Sequence, residues 1–355
     1  DRALASLCAD LLAGRPRPRL LQGGELDPRE LAPPYDLYTA DDIAHRLIYV
    51  EASRGCPFRC EFCLSALDTT ARPADLGQFL AQMTTLLDRG VRHFKFVDRT
   101  FNLAPATSRR ILQFFLDRLR PDLLLHFEMV PDRLAPELAE LLARFPPASI
   151  QLEIGVQTFD PQVQARIDRR QDNAKTEANL RWLRANTRAH LHVDLIVGLP
   201  GEDLAGVGRG FDRLVALNPH EIQLGILKRL RGAPIVRQID AYGKRFNPAP
   251  PYQLLASSSL SFAEMQRVGR AARFWDLIGN SGRFPNARAV LLGETPFARL
   301  LAFSDWAGTN IGQTHAFSAE RLFQVVWRGL TEGLGVADGE ARLALERDYA
   351  LVAHR

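Results

Sequence analysis

The sequence predicts an α/β protein built on a partial (βα)6 barrel, and three observations predict it. Six runs rich in β-branched or alternating apolar residues follow one another, helical periods separate them, and the series ends well before the chain does. Alternating strand and helix implies a parallel sheet with right-handed crossovers. Six units within 45–243 stop short of the eight that close a full TIM-like barrel.

The runs are RLIYVEAS (46–53), HFKFVDR (93–99), LLLHFEMV (123–130), SIQLEIGVQ (149–157), HLHVDLIVG (190–198) and EIQLGIL (221–227). Leu76, Phe79, Leu80, Met83, Leu86 and Leu87 fall at helical spacing, and Gly90 closes that helix. Leu204, Val207, Phe211, Leu214 and Val215 repeat the pattern after the fifth run. FDPQVQARI begins a further helix, with Asp160 as N-cap and Pro161 in its first turn.

Ahead of the barrel, Leu4, Leu7, Leu11 and Leu12 mark a short helix that carries Cys8, expected to be an ordinary buried thiol. GRPRPRLLQGG (14–24) and LAPPYDLY (31–38) read as linker. NPAPPY (247–252) marks a second boundary. The expected organisation is a linker or tail over 1–44, the barrel over 45–243, and a helical extension over 244–355 that caps the barrel or shapes its pocket. Trp275, Trp306 and Trp327 are its expected core anchors.

Apolar residues make up 46% of the 355 and charged residues 24%, an ordinary globular balance. Only four of the 45 basic residues are Lys, and the net charge of +4 is too diffuse to argue for nucleic acid. No apolar run approaches the ~18 residues of a membrane span, and no secretory signal is visible. Four cysteines, three of them crowded together, do not make a disulfide framework, so the cytoplasm is the expected compartment.

SRGCPFRCEFC (53–63) places Cys56, Cys60 and Cys63 just after the first strand, at the barrel mouth where such folds do chemistry. Three thiolates on one loop suit a soft-ligand metal centre. Structural zinc takes four protein ligands, and no fourth Cys or His lies nearby. A 4Fe-4S cluster normally takes four thiolates as well, so three would leave one iron open. Gly55 allows close backbone approach and Pro57 fixes the turn. His190 and His192 lie near the start of the fifth run and read as packing residues, while Lys228, Arg229 and Arg231 read as a solvated loop.

The C-x3-C-x2-C spacing, with Phe62 just before the last cysteine, resembles the signature of the radical SAM superfamily. The resemblance implies a radical SAM barrel that holds a 4Fe-4S cluster through Cys56, Cys60 and Cys63. The open iron would chelate S-adenosylmethionine (SAM), whose reductive cleavage gives a 5′-deoxyadenosyl radical. VDRTFN ends the second strand, where the superfamily places the segment that meets the SAM amino group. Asp98, Arg99, Thr100 and Asn102 stand there in place of the usual Gly-Gly-Glu. IGVQTFDPQVQARIDRRQ is similar to the oxygen-independent coproporphyrinogen oxidase branch, which implies Gln157 at the ribose and Arg169 at the methionyl carboxylate. The same resemblance implies Glu128 at the amino group and Asp194 at the ribose hydroxyls, with backbone near Ile196 and Gly198 bordering the adenine.

YVEASRGCPFRCEFCLSALD, FKFVDRTFN, HLHVDLIVGLPGED, QLGILKRLRGAPI, YGKRFNPAPPY and GNSGRF widen the similarity. They resemble radical SAM proteins that carry a cobalamin-binding domain ahead of the barrel and a poorly characterised C-terminal domain. The Asp-x-His-x-x-Gly cobalamin loop does not occur in these 355 residues, and residues 1–24 resemble the tail that follows such a domain. The implied activity is cobalamin-linked methylation of an unactivated carbon, that of a methyltransferase, with cobalamin held by a domain outside this chain. One alternative is a cobalamin-independent oxidation, decarboxylation or rearrangement. The coproporphyrinogen oxidase branch typically has a further cysteine two residues after the third, where this chain has Ser65. A third reading is an iron–sulfur or haem chaperone without SAM chemistry. The implied partners are a small-molecule substrate and an electron donor such as flavodoxin or ferredoxin, with neither nucleic acid nor membrane.

Overall fold

Alternation along the predicted strands builds a two-faced parallel sheet. In the computed structural model, which describes residues 2–353 except 17, 22 and 24–26, six strands form. They are β1 (Ile48–Val50), β2 (His93–Phe96), β3 (Leu124–Met129), β4 (Ile150–Gln157), β5 (His190–Val197) and β6 (Glu221–Ile226). They pair in sequence order, all parallel, and β1 and β6 remain edges. The result is the open (βα)6 barrel expected.

One set of alternating side chains, including Phe96, Phe127, Leu152 and Val193, is buried beneath the helices. The other set faces the concave side and is polar: Lys95, His126, Glu128, Glu153, His192 and Asp194 are all half-buried there. A closed barrel fills its interior with Val, Ile and Leu. This one lines it with ionisable groups. The register sets Glu128 beside Glu153, Glu153 beside His192, and His192 beside Glu221.

The helices follow the expected periods and caps. Leu76–Asp88 starts at the Asp75 carboxylate, and the chain turns at Gly90 with φ of 103°. Asp160 accepts from the N–H groups of Gln162 and Val163 to open Pro161–Arg166, and Asp203 caps Leu204–Leu217. Among the described residues no helix is long and apolar enough to cross a membrane.

Three local expectations need correction, and a fourth segment takes a defined local form. The first strand ends at Val50, because Asp98 draws the chain aside at Ala52 and Ser53; Ser53–Arg54 then pairs with Arg72–Pro73 in a separate ladder. Cys8 is exposed: its helix, Arg2–Leu12, leaves Leu4, Leu11 and Leu12 exposed as well, so there is no core for the thiol to enter. The stretch 14–24 lies partly outside the described residues, but 31–38 is docked: Tyr35 is buried and its hydroxyl accepts from the Glu51 N–H at 2.8 Å. The segment 247–252 is a hairpin turn between Arg245–Phe246 and Leu254–Ala256.

The C-terminal region is helical as expected, and its helices cover the β6 edge. Trp275 donates from Nε1 to the Ile222 carbonyl at 2.8 Å, and the Asn280 amide oxygen accepts from the Ile222 N–H at 3.0 Å. An exposed strand edge invites unwanted pairing, and these two side chains occupy it. Phe297, at the start of Pro296–Asn310, packs against Phe211 and over Gly208, where a Cβ would lie 2.7 Å from its ring. Of the expected anchors Trp275 is fully buried, whereas Trp306 and Trp327 are half-buried beneath Arg328 and Arg342.

Candidate active site at the barrel mouth

The cysteine loop is fixed by backbone contacts from three directions. Gly55 has φ of 92°, and a Cβ there would lie 1.9 Å from the Thr70 carbonyl oxygen. Cys56 donates its N–H to the Asp68 carbonyl at 3.1 Å, and Cys63 donates to the Cys60 carbonyl at 3.0 Å. Glu61 between them donates to Ile167 and accepts from Ile235. The loop therefore hangs between the β4–β5 connection and the segment after β6.

All three cysteines line one cavity of about 240 Å³, together with Phe62, Thr100, Glu128, Gln157, Arg169 and Asp194. Nine of the expected site residues thus converge from the cysteine loop, the turn after β2, strands β3, β4 and β5, and the β4–β5 connection that carries Arg169. Asp98 and Ile196 do not line it. Asp98 is 2% exposed and spends its oxygens on the Ala52 N–H at 3.0 Å and the Ser53 hydroxyl at 2.6 Å. Burial pushes its carboxyl up to about 6, against those two hydrogen bonds. It holds the start of the cysteine loop instead of facing the cavity. The Ile196 side chain is half-buried, packed against the core.

Arg169 stands at the centre. Its Nη1 lies 3.8 Å from the Cys60 sulfur, its Nη2 donates to the Gly155 carbonyl, and its Nε donates to Gln171 at 3.0 Å. Burial pushes the Cys56 and Cys60 thiols up, and the positive charge of Arg169 works against that at both. Glu128 pairs with Arg99 at 2.9 Å; burial raises its carboxyl and Arg99 opposes the shift. Gln157 sits at φ of 70° with its Oε1 buried and without a partner. A side chain on Gly155 would meet the Gln157 amide nitrogen at 2.4 Å, so glycine keeps that amide in place.

These groups fit a three-thiolate cluster carrying a charged ligand. The thiols supply soft donors, and among the described residues no fourth Cys or His lines the cavity. Arg169 offers a planar cation beside the sulfurs, Glu128 an anion, and Gln157 an orphaned acceptor. Among the described residues no three His, Cys, Asp or Glu side chains converge on a single ion.

Sequence reasoning did not name Glu153 at all, and it named Arg99 and His192 without the contacts they make. Arg99 is the partner of Glu128, Glu153 lines the cavity floor, and His192 bridges Asp194 and Glu221. The signal for Glu153 was present, since Glu153, Gly155 and Gln157 share one strand face by their period of two. His192 carries the same signal relative to Asp194. It is a member of a polar chain, which corrects its reading as a packing residue.

A parallel (βα)6 barrel with three thiols and a charged cavity at its C-terminal mouth is the arrangement implied by the resemblance of the cysteine spacing to the radical SAM superfamily. Residues 50–209 match the radical SAM superfamily and residues 240–355 match a protein family of unknown function, DUF4080, so the barrel carries a radical SAM domain and a DUF4080 region follows it. The cofactors of that superfamily are a 4Fe-4S cluster and SAM. The oxygen-independent coproporphyrinogen III oxidase of Cereibacter sphaeroides is 28% identical over 177 residues, 47% of this chain and 39% of that protein. The ribosomal protein uS12 methylthiotransferase RimO of Herpetosiphon aurantiacus is 26% identical over 164 residues, 43% of this chain and 35% of that protein. The chain thus spans well under half the length of these relatives. Among solved structures, the cobalamin-dependent SAM radical enzyme OxsB, with aqua-cobalamin bound, shares the fold at a TM-score of 0.58 and 14% identity, over 98% of this chain and 66% of that one. The radical SAM methyltransferase TsrM from Kitasatospora setae, with tryptophan and a SAM analogue bound, gives 0.50 and 23% over 58% and 42%.

Proposed function

We propose that this chain cleaves SAM reductively at a 4Fe-4S cluster held by Cys56, Cys60 and Cys63, and that the radical serves cobalamin-linked methylation of an unactivated carbon. The observation that carries the first part is the convergence of three thiols, Arg169, Gln157, Glu128 and Asp194 on one cavity. When bound, the cluster and SAM supply an electron and a cleavable sulfonium, and hence the 5′-deoxyadenosyl radical.

The residues of the chain bind and orient. Arg169 takes the methionyl carboxylate, where its fixed fork is the matching shape. Glu128 accepts from the amino group, exchanging its contact with Arg99 for one with the ligand. Gln157 offers its orphaned Oε1 to a ribose hydroxyl, and Asp194 takes the ribose from the neighbouring strand. Phe62 lines the cavity beside the sulfurs.

The methylation half rests on the segments similar to cobalamin-carrying radical SAM proteins and on the fold shared with the cobalamin-dependent enzyme OxsB and the methyltransferase TsrM. The 28% identity to a coproporphyrinogen oxidase favours a second reading, in which the barrel works without cobalamin. Product analysis separates them. Full-length natural protein, reconstituted and supplied with cobalamin and SAM, should yield both S-adenosylhomocysteine and 5′-deoxyadenosine if it methylates. 5′-Deoxyadenosine alone supports the cobalamin-independent reading.

A further inference from the structure

Inside the barrel, beneath the SAM cavity, four ionisable side chains of β5 and β6 form an unbroken hydrogen-bonded row. His192 Nε2 lies 3.1 Å from Asp194 Oδ1, and His192 Nδ1 lies 2.7 Å from Glu221 Oε2. The other Glu221 oxygen pairs with His190 Nε2 at 3.0 Å. Both neighbours of His192 are carboxylates, which when ionised accept and do not donate, so each then calls for a hydrogen on the ring nitrogen that faces it. With both carboxylates ionised, the ring between them is an imidazolium. Its first contact takes one oxygen of Asp194, and the Oδ2 atom accepts from no protein group among the described residues. Asp194 lines the cavity and His192 does not.

We propose that His192, clamped by Glu221, is a positioning residue for the SAM site: it turns Asp194 so that Oδ2 faces the ribose and keeps that carboxylate ionised. The proposal rests on the reading that Asp194 takes the ribose hydroxyls. Nothing in the resemblance to known families assigns His192 or Glu221 a role.

The surroundings agree. Burial alone would lower the imidazolium, but the hydrogen bonds to Asp194 and Glu221 outweigh it and hold His192 at about 10. At Asp194 burial pushes the carboxyl up and His192 pulls it back. The other charges facing the pair are Glu153 from β4, which raises Asp194, and Lys95 from β2, which lowers it. Lys95 is itself committed to Glu153 at 3.3 Å, as is His126 at 2.8 Å. Beyond β6, Asp276 also feels His192 and Glu221. Without His192, Asp194 keeps the upward push of burial and of Glu153 against a distant lysine.

The test is equilibrium binding of SAM to the reconstituted, unreduced protein between pH 6.5 and 9, together with nitrogen NMR of the His192 ring in cluster-free protein. Wild-type affinity should be flat with pH. His192→Asn should lose about tenfold at pH 6.5 and recover to within about threefold by pH 9, as Asp194 ionises late. Glu221→Gln should show a smaller loss of the same sign. Asp194→Asn should lose about tenfold or more at every pH. A pH-independent loss, or none, in His192→Asn beside a clear loss in Asp194→Asn overturns the positioning role while leaving the ribose reading intact. No loss in Asp194→Asn overturns the ribose reading, and the proposal with it. Should His192→Asn fail to fold, the ring spectrum decides: two N–H groups at pH 8.5 are expected, and a singly protonated ring overturns the proposal.

Discussion

The guanidinium of Arg169 stands 3.8 Å from the sulfur of Cys60, although 109 positions separate them in the chain. The contact ties the cysteine loop to the turn after the Pro161–Arg166 helix and sets a positive charge beside the thiols. If that charge serves the SAM carboxylate, Arg169→Met should leave iron and sulfide content unchanged while SAM affinity falls roughly 10- to 100-fold, the worth of a charge-assisted hydrogen bond. Metal analysis and equilibrium dialysis read the two quantities separately.

Gly55 tests whether loop shape matters apart from ligand identity. At φ of 92°, with the Thr70 carbonyl 1.9 Å from an added Cβ, Gly55→Ala cannot keep the present backbone. Iron bound per chain after reconstitution should fall well below wild type, although all three cysteines remain. Full loading would show that the loop tolerates another path.

Asp98 should behave as a scaffold residue. Asp98→Ala strands the buried Ala52 N–H and should cost about 1–3 kcal/mol in urea unfolding, with a parallel loss of cluster loading. Asp98→Asn keeps one acceptor and removes the cost of ionising a buried acid. Because burial raises this carboxyl to about 6, that cost is absent below the ordinary value of 3.8 and complete above 6. The stability of the Asn variant relative to wild type should therefore improve as pH rises across that window.

The barrel interior predicts the shape of the pH–stability curve. Hydrogen bonds from His126 hold Glu153 at about 2, and those from His190 and His192 hold Glu221 at about 2, both below the ordinary 4.5. Groups depressed in the folded state add stability that is present above 4.5 and lost as pH falls toward 2. His192, raised to about 10, adds stability that is complete below 6.5 and fades as pH rises through 10. Glu221→Gln should flatten both limbs, read by urea unfolding across pH 3–9. Limbs as steep as in wild type would show that these pairs do not couple to folding.

Much of the fold was legible because its signals are local. Period-two alternation fixed β3 to β6 to within about a residue, and Asp160 and Gly90 announced their helix ends. Residue spacing alone placed Cys56, Cys60 and Cys63 together. What was not legible depends on contacts distant in sequence. Asp98 looked like a strand-end ligand, and only its bonds to Ala52 and Ser53, 46 and 45 positions away, show it supporting the loop. Cys8 looked like a core thiol because its helix repeats leucine, but the repeat says nothing about what covers it. The Trp275 and Asn280 contacts with Ile222 could not be read from the helical pattern of the C-terminal region, which fixes the buried face of a helix and not the edge it will cover.

The most direct measurement is 5′-deoxyadenosine released from SAM by protein reconstituted with iron and sulfide and reduced with dithionite, without oxygen. Wild type is expected to be brown, to bind four irons per chain on the general stoichiometry of a 4Fe-4S cluster, and to release 5′-deoxyadenosine. Cys60→Ala is expected to be colourless and inactive. A wild-type protein that binds the cluster but releases no 5′-deoxyadenosine, or a Cys60→Ala variant that keeps full 4Fe-4S absorbance, would contradict the account.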